Sequence, residues 1–335
     1  MELHTSSLVL NALMLVAGLA LLIKGSDLFI DAAAAIARKW HVSELTIGLT
    51  LVSIGTALPE FAASFYASLC HQSDFVVGNV VGSISANILL VLGLGALIGG
   101  GFDFPRKLLT RDALFLVAVF GLTALLMFTV GIDGGRAAGL NRFGGIGLLV
   151  LAFFYCRSLF KHPESFEASE HGEKPAALDR MTSSLGNIAM LIFGFAMVTG
   201  GSKLSVDNVV WGAEMLNVSP LVISATVVGF GTALPELAVT ISGVLKKKHD
   251  LAIGNIIGSC TFNVLLIFGS CAVFHPLAVE GRNGAVAIAF MCFAALLLLG
   301  VMAANGKRLT RLHGLVLFLG YLGFLAYQLR AFFGR

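Results

Sequence analysis

The segment IGLTLVSIGTALPE at residues 47–60 recurs 176 positions later as ISATVVGFGTALPE at 223–236, with 9 of 14 positions identical. At the same offset DFVVGNVVGSISANILL (74–90) matches DLAIGNIIGSCTFNVLL (250–266) at 8 of 17, and Gly25, Ser26 and Asp31 match Gly201, Ser202 and Asp207. Shared apolar composition alone would give about one match in ten. The chain is therefore an internal duplication, and each copy must fold to a similar unit.

The setting of those units follows from hydropathy. With 57% hydrophobic and only 12% charged residues among 335, there is too little polar surface to cover a water-soluble globule of this size. Apolar runs of about 20 residues, the length that crosses a bilayer core as helix, recur ten times, over approximately 8–38, 44–70, 75–100, 112–131, 141–160, 184–214, 220–245, 251–275, 283–304 and 312–332. The expected fold is thus an all-α membrane protein of ten transmembrane helices. The first and sixth runs exceed one crossing and end in mixed stretches, so bending or strong tilt is expected there. No basic region precedes the first apolar run, which argues for a retained helix over a cleaved signal peptide.

Five spans per half is an odd number, so the second copy enters the membrane facing the opposite way. Two inverted five-helix repeats follow, with residues 1–160 as the first, 161–182 as a hydrophilic cytoplasmic linker and 183–335 as the second. Inverted repeats of this kind build secondary transporters, with the site near midplane where the repeats meet. Lys and Arg set the orientation. With the N-terminus outside, 15 of the 22 fall in the cytoplasm, six outside, and Lys24 within the first span. The expected location is the cell (inner) membrane, with an extracytoplasmic N-terminus. The net charge of +3 needs no nucleic-acid partner, since this topology already accounts for the basic residues.

Two carboxylates stand out. Glu60 is the sole charged residue between Leu45 and Cys70, and Glu236 the sole one between Pro220 and Leu245. An ionised side chain at a helix centre costs at least about 2.5–3.5 kcal/mol in lipid, so such residues are functional candidates. The competing explanation is a structural pair with a buried base, for which Lys24 and Lys203 are available. Residues four apart share a helix face, which aligns Thr56, Glu60 and Ser64 in the second span and Thr232, Glu236 and Thr240 in the seventh. The third and eighth spans present Asn79, Ser83 and Asn87, and Asn255, Ser259 and Asn263. Any one such stripe could serve helix packing; four together point to an oxygen-lined site.

Pro59 and Pro235 precede the glutamates and cannot donate to the carbonyls of Gly55 and Gly231. Either a simple kink or a broken helix with carbonyls freed to line a cavity is expected. Gly78, Gly82, Gly254 and Gly258 would let the stripes approach closely. Two carboxylates, amides and hydroxyls suit a hard cation such as calcium, which takes six to eight oxygens, or sodium, and argue against zinc or copper. The histidines form no H-x-x-x-H pair and are assigned no metal role. Cys70, Cys156, Cys260, Cys271 and Cys292 show no C-x-x-C spacing and read as small buried hydrophobes.

At GTALPE followed by GNVVGSISAN, and again at GTALPE followed by GNIIGSCTFN, the sequence resembles the cation/calcium exchanger superfamily, which includes the sodium/calcium exchangers, and particularly its compact prokaryotic members. The resemblance covers nearly the whole chain. It implies ten helices, a site between the second, third, seventh and eighth, and alternating access through sliding of the first and sixth. Carried over residue by residue, it implies Glu60 and Glu236 as the calcium carboxylates, with Thr56, Thr232, Ser83, Ser259, Asn87 and Asn263 as further ligands. Many sodium-coupled members have Ser where this chain has Ala57 and Ala233, and some have Asp at the position of Asn263. Proton-coupled members typically carry an acid where this chain has Gly82 and Gly258.

The function these observations imply is antiport of calcium, or a similar divalent cation, against sodium or protons. The protein is expected to be no enzyme, to hold no cofactor beyond its transported ions, and to work as a monomer in the bilayer. A calcium-permeable channel and a non-transporting ion-binding membrane protein are the alternatives.

Overall fold

The computed structural model describes residues 8–40, 42–106, 108–130, 138–161, 184–215, 233–279, 281–304 and 308–333. These residues form ten helices. They are α1 (Leu8–Lys39), α2 (Glu44–Ile47, a π-helical Gly48–Val52, then Ser53–Leu69), α3 (Ser73–Ser85, a π-helical Ala86–Val91, then Leu92–Ile98) and α4 (π-helical Leu108–Ala113, Leu114–Leu125, π-helical Leu126–Val130). The chain continues through α5 (Arg142–Lys161), α6 (Ser184–Met215), α7 (Leu234–Leu245), α8 (His249–Phe262, a π-helical Asn263–Phe268, then Gly269–Phe274), α9 (Gly281–Ala304) and α10 (Arg311–Phe333). Eight are long and apolar enough to cross a membrane, and α7 and α10 are shorter apolar helices. The expected linker beyond Lys161 and the first part of the seventh span, 220–232, lie outside the described residues.

Inversion of the repeats is visible where α1 meets α6. A Cβ on Gly18 would sit 3.1 Å from the Gly201 carbonyl oxygen, and one on Gly194 would sit 3.1 Å from the Gly25 carbonyl oxygen. Gly18 and Gly194 are repeat counterparts, as are Gly25 and Gly201, so equivalent residues meet in antiparallel fashion about a two-fold relation. The glycines explain why: with no side chain between them, the backbones touch, and in lipid such contact is what drives helix association. Both helices run unbroken for 32 residues, about 48 Å at 1.5 Å per residue. Both are continuous α-helix, longer than one perpendicular crossing of the hydrocarbon needs, a mismatch that tilt accommodates.

Two short ribbons, absent from the all-α expectation, repeat the same symmetry. Strand β1 (Phe102–Asp103) pairs antiparallel with β4 (Arg308–Leu309), and β2 (Gly139–Leu140) pairs with β3 (Leu277–Ala278). Each ribbon joins a loop of one half to a loop of the other. Two-residue strands carry no periodicity for a sequence to display.

The buried apolar side chains divide into two clusters. The larger runs through α2, α3, α4, α5, α8, α9 and α10; the smaller joins α1 and α6, with Ile47, Val52, Val239 and Leu251 at its edge. Helices α3 and α8 are enclosed over most of their length, whereas α1, α4, α5 and α6 leave most of their surface outside. Leu13, Phe143, Phe153 and Leu185 are exposed by more than half, as lipid-facing positions should be.

A polar tie links the two clusters at the end of α7. Lys246 Nζ donates to Asp31 Oδ2 at 2.7 Å and to the Asp27 carbonyl at 2.9 Å, while the Ser242 hydroxyl donates to Asp27 Oδ1 at 2.7 Å. The repeat counterpart of Lys246 is Cys70, so this tie has no equivalent at the opposite end of the two-fold. Cys70 is exposed at the end of α2 and is not a core residue; Cys260 and Cys271 are buried as expected.

Candidate cation site

The four enclosed helices α2, α3, α7 and α8 bring the two glutamates together. Glu60 is 1% exposed and Glu236 fully buried, close enough that the two carboxylates repel when both are ionised. Glu236 stands in the first turn of α7 directly after Pro235, which suits the start of a helix because its missing N–H would find no intrahelical partner there. The positive end of the helix dipole then favours a negative charge at Glu236. Pro59, by contrast, lies inside a helix that continues through it. No break forms in the first repeat: one backbone bond is lost, and packing against α3 and α8 holds the helix. Of the two outcomes expected at Pro59, a simple kink or a broken helix, the helix is not broken.

Ser83 Oγ donates to Glu60 Oε1 at 2.6 Å, and Asn263 Nδ2 donates to Ser83 Oγ at 3.0 Å and to Glu60 Oε2 at 3.4 Å. On the other side of the site Thr56 Oγ1 donates to Asn255 Oδ1 at 3.1 Å and lies 3.4 Å from Ser259 Oγ. Each half thereby reaches into the other: α2 and α3 of the first repeat are bonded to α8 of the second. Four stripe residues are bonded to one another in two pairs. Asn79 Nδ2 donates to Ser64 Oγ at 2.9 Å, and its counterpart Asn255 Nδ2 donates to Thr240 Oγ1 at 3.4 Å.

Among the described residues several buried polar atoms have no hydrogen-bond partner: both oxygens of Glu236, both amide atoms of Asn87, and Oδ1 of Asn263. The Thr56 hydroxyl is directed to Asn255 Oδ1 at 3.1 Å. A buried acceptor left unsatisfied costs about 1–3 kcal/mol, more when charged, and native structures keep few of them. Four such oxygens in one site are what a hard cation would satisfy.

Asn87 and Asn263 are repeat counterparts and both lie in π-helical segments, Ala86–Val91 and Asn263–Phe268. The wider turn is the feature that the sequence did not announce; single π turns inside α-helices mark functional positions often. Of the expected ligands, Glu60, Thr56, Ser83, Ser259, Asn87, Asn263 and Glu236 are all buried, and Thr232 lies outside the described residues. Lys24 is exposed, and Lys203 is 79% exposed and faces Asp207 at 3.9 Å, so neither pairs with a glutamate. Gly254 and Gly258 do allow close approach: a Cβ on Gly258 would lie 2.5 Å from Ser53 Oγ and 2.7 Å from the Leu49 carbonyl oxygen. Gly78 and Gly82 meet no described atom within 4 Å, and residues 221–229, the counterparts of the segment that packs on Gly254 and Gly258, lie outside the described residues.

The family model for sodium/calcium exchanger proteins matches this chain twice, over residues 10–161 and 186–330. The chain belongs to that family. The relatives of this exchanger-family chain include the sodium/calcium exchanger MaX1 of Methanosarcina acetivorans, 33% identical over 95% of this chain and 98% of the relative. The inner membrane protein YrbG of Escherichia coli (strain K12) is 33% identical over 82% of each chain. Among solved structures, the sodium-calcium exchanger NCX_Mj soaked with 10 mM Na+ superposes with a TM-score of 0.80 at 30% identity, covering 96% of this chain and 99% of that one. The fold is therefore the ten-helix, inverted-repeat exchanger fold of a multi-pass membrane protein.

Proposed function

We propose that this protein is a secondary active antiporter that carries calcium, or a similar divalent cation, in one direction and sodium or protons in the other through one shared site. Glu60 and Glu236 supply the carboxylates; Thr56, Thr232, Ser83, Ser259, Asn87 and Asn263 supply neutral oxygens. The observation that carries this reading is the Glu236 carboxylate, fully buried and with neither oxygen hydrogen-bonded among the described residues. Its charge needs a partner, and the residues around it offer oxygens where a base would be needed. A cation is the partner that fits.

Obligatory exchange follows from the same cost. An empty site would have to carry an unneutralised glutamate pair through a dry intermediate, which is prohibitive, whereas a loaded site passes. The α1/α6 pair, packed on itself through glycines and joined to the rest through a separate apolar cluster, is the unit suited to move against the enclosed core. Residues 1–160 and 183–335 are assigned to the two repeats and 161–182 to a cytoplasmic linker. The lysine and arginine distribution favours an extracytoplasmic N-terminus, and the cell (inner) membrane is the location assigned, as for the E. coli relative. Each half completes the site of the other within one chain, so a monomer suffices, and the work done is transport without chemical conversion.

The test is calcium-45 uptake into proteoliposomes of the purified protein, driven in parallel by an outward sodium gradient, a proton gradient or neither. Uptake that needs a trans cation supports exchange and names the coupling ion. Flux independent of any trans cation would make the protein a channel, and binding without flux would make the ion structural.

A further inference from the structure

We infer that the tie of Lys246 to α1 is a one-sided latch, which stabilises the state with α1 seated on α7 and has no equivalent in the opposite state. The inference rests on the exchange reading above and adds the residues that set the balance between its two states.

The repeats correspond residue by residue, so the seat of α1 on α7 has a mirror, the seat of α6 on α2. Only the first is closed among the described residues. Lys246 Nζ reaches Asp31 Oδ2 at 2.7 Å, the Asp27 carbonyl at 2.9 Å and Asp27 Oδ1 at 3.6 Å, and Ser242 donates to Asp27 Oδ1 at 2.7 Å. Beside these bonds Ile30 is fully buried, and a Cβ on Gly243 would lie 3.5 Å from its Cδ1. By the 176-residue offset, the counterparts at the other end are Lys203 for Asp27, Asp207 for Asp31, Tyr66 for Ser242 and Cys70 for Lys246. These lie open. Tyr66 is 71% exposed, Cys70 is exposed, and the Lys203 and Asp207 side chains are 79% and 60% exposed and face each other at 3.9 Å.

Alternating access requires the α1/α6 pair to take each seat in turn. With α6 seated on α2, the charges do not match as they do here. Cys70 brings no cation to the contact, and Lys203 stands where the first repeat has Asp27. Asp207 keeps its neighbour on α6 as its partner, and no ion pair crosses from α6 to α2. The latch therefore stabilises one state without stabilising the other. On the orientation proposed above, the favoured state is shut towards the cytoplasm and open to the outside. The latch is separate from the cation site: Lys246 follows Glu236 by ten residues, about 15 Å along a helix.

The experiment reads both ends at once in full-length protein in detergent micelles. In the Ile30→Cys variant, alkylation by a small water-soluble maleimide is followed site by site through peptide mass spectrometry. Position 30 reports α1 leaving α7, and the native Cys70 reports the open end. Adding Lys246→Met should speed the reaction at position 30 by roughly two- to fivefold, the scale of a half-exposed ion pair, while Cys70 reacts no faster. Asp31→Asn, which removes the same pair from the α1 side, should act likewise, and the buried Cys260 and Cys271 should stay unreactive throughout. An unchanged rate at position 30 in both variants would overturn the inference and leave exchange intact. Parallel gains at Cys260 and Cys271 would also overturn it, since the tie would then brace the whole fold and not one state. Calcium-45 flux that needs no trans cation, measured on the same protein in vesicles, would overturn the exchange reading and this inference with it.

Discussion

Ser83 donates to Glu60 at 2.6 Å, whereas its repeat counterpart Ser259 directs its hydroxyl to the Ser53 carbonyl at 3.4 Å, and Glu236 has no hydrogen bond among the described residues. The two glutamates are equivalent in sequence and inequivalent in the folded state. One is held by charge-assisted bonds; the other is free to meet an ion. That difference gives separate expectations for residues that the repeat alone would treat alike.

Ser83→Ala removes a hydrogen bond to a charged group, of the kind that contributes about 1.5–3 kcal/mol, and releases Glu60 from its fixed rotamer. Calcium affinity, followed by titration calorimetry on purified protein, should fall by roughly tenfold or more. Ser259→Ala should weaken binding by only a few-fold, since its bonds at 3.4 Å are long. Equal losses in the two variants would remove the asymmetry from the account.

Glu236→Gln takes away a buried charge that has no partner among the described residues, so the cation-free protein should become more thermostable, by roughly 1–3 kcal/mol. The stabilisation that calcium confers on wild type, about 2.7 kcal/mol at a concentration one hundred times Kd, should at the same time disappear. Glu60→Gln should lose the calcium increment without that gain, because Glu60 is already bonded to Ser83 and Asn263. Melting curves in detergent with and without calcium distinguish the two.

The duplication, the helix count, the inverted arrangement and the two glutamates were legible in the sequence, because each rests on periodicity or on charge in an apolar run. Other features were not. The π turns at Asn87 and Asn263 depend on backbone bonding that no residue type encodes. Neither could spacing reveal that Pro59 would be accommodated while Pro235 opens a helix, since both follow the same GTAL. The Lys246 tie to Asp27 and Asp31 joins residues more than 200 positions apart in one half-exposed corner. Asn79 and Ser64, read as part of an ion-lining stripe, are bonded to each other.

Gly258→Ala would drive a methyl against the Leu49 carbonyl and the Ser53 side chain, forcing α8 away from α2. Overpacking of this kind costs about 1–3 kcal/mol, and the melting temperature should drop with it. Gly121→Ala is the control: it lies in α4 with no described atom within 4 Å of the added methyl and should leave stability unchanged or slightly raised.

Lys246→Met removes the ion pairs and the bond to the Asp27 carbonyl while keeping the aliphatic stem. Half-exposed pairs of this sort contribute under about 1 kcal/mol each, so amide hydrogen exchange in the second half of α1 should quicken by roughly fivefold or less with the fold intact. An unchanged exchange pattern would mean that the tie does not hold α1 against α7.

The most direct test of the glutamate pair is sodium- or proton-driven calcium-45 uptake by Glu60→Gln and Glu236→Gln, reconstituted beside wild type at matched protein density. Both variants should lose gradient-driven uptake to the level of protein-free vesicles, because neither can present two charges to a divalent ion. Full uptake by either variant would contradict the assignment of the cation site to these two residues.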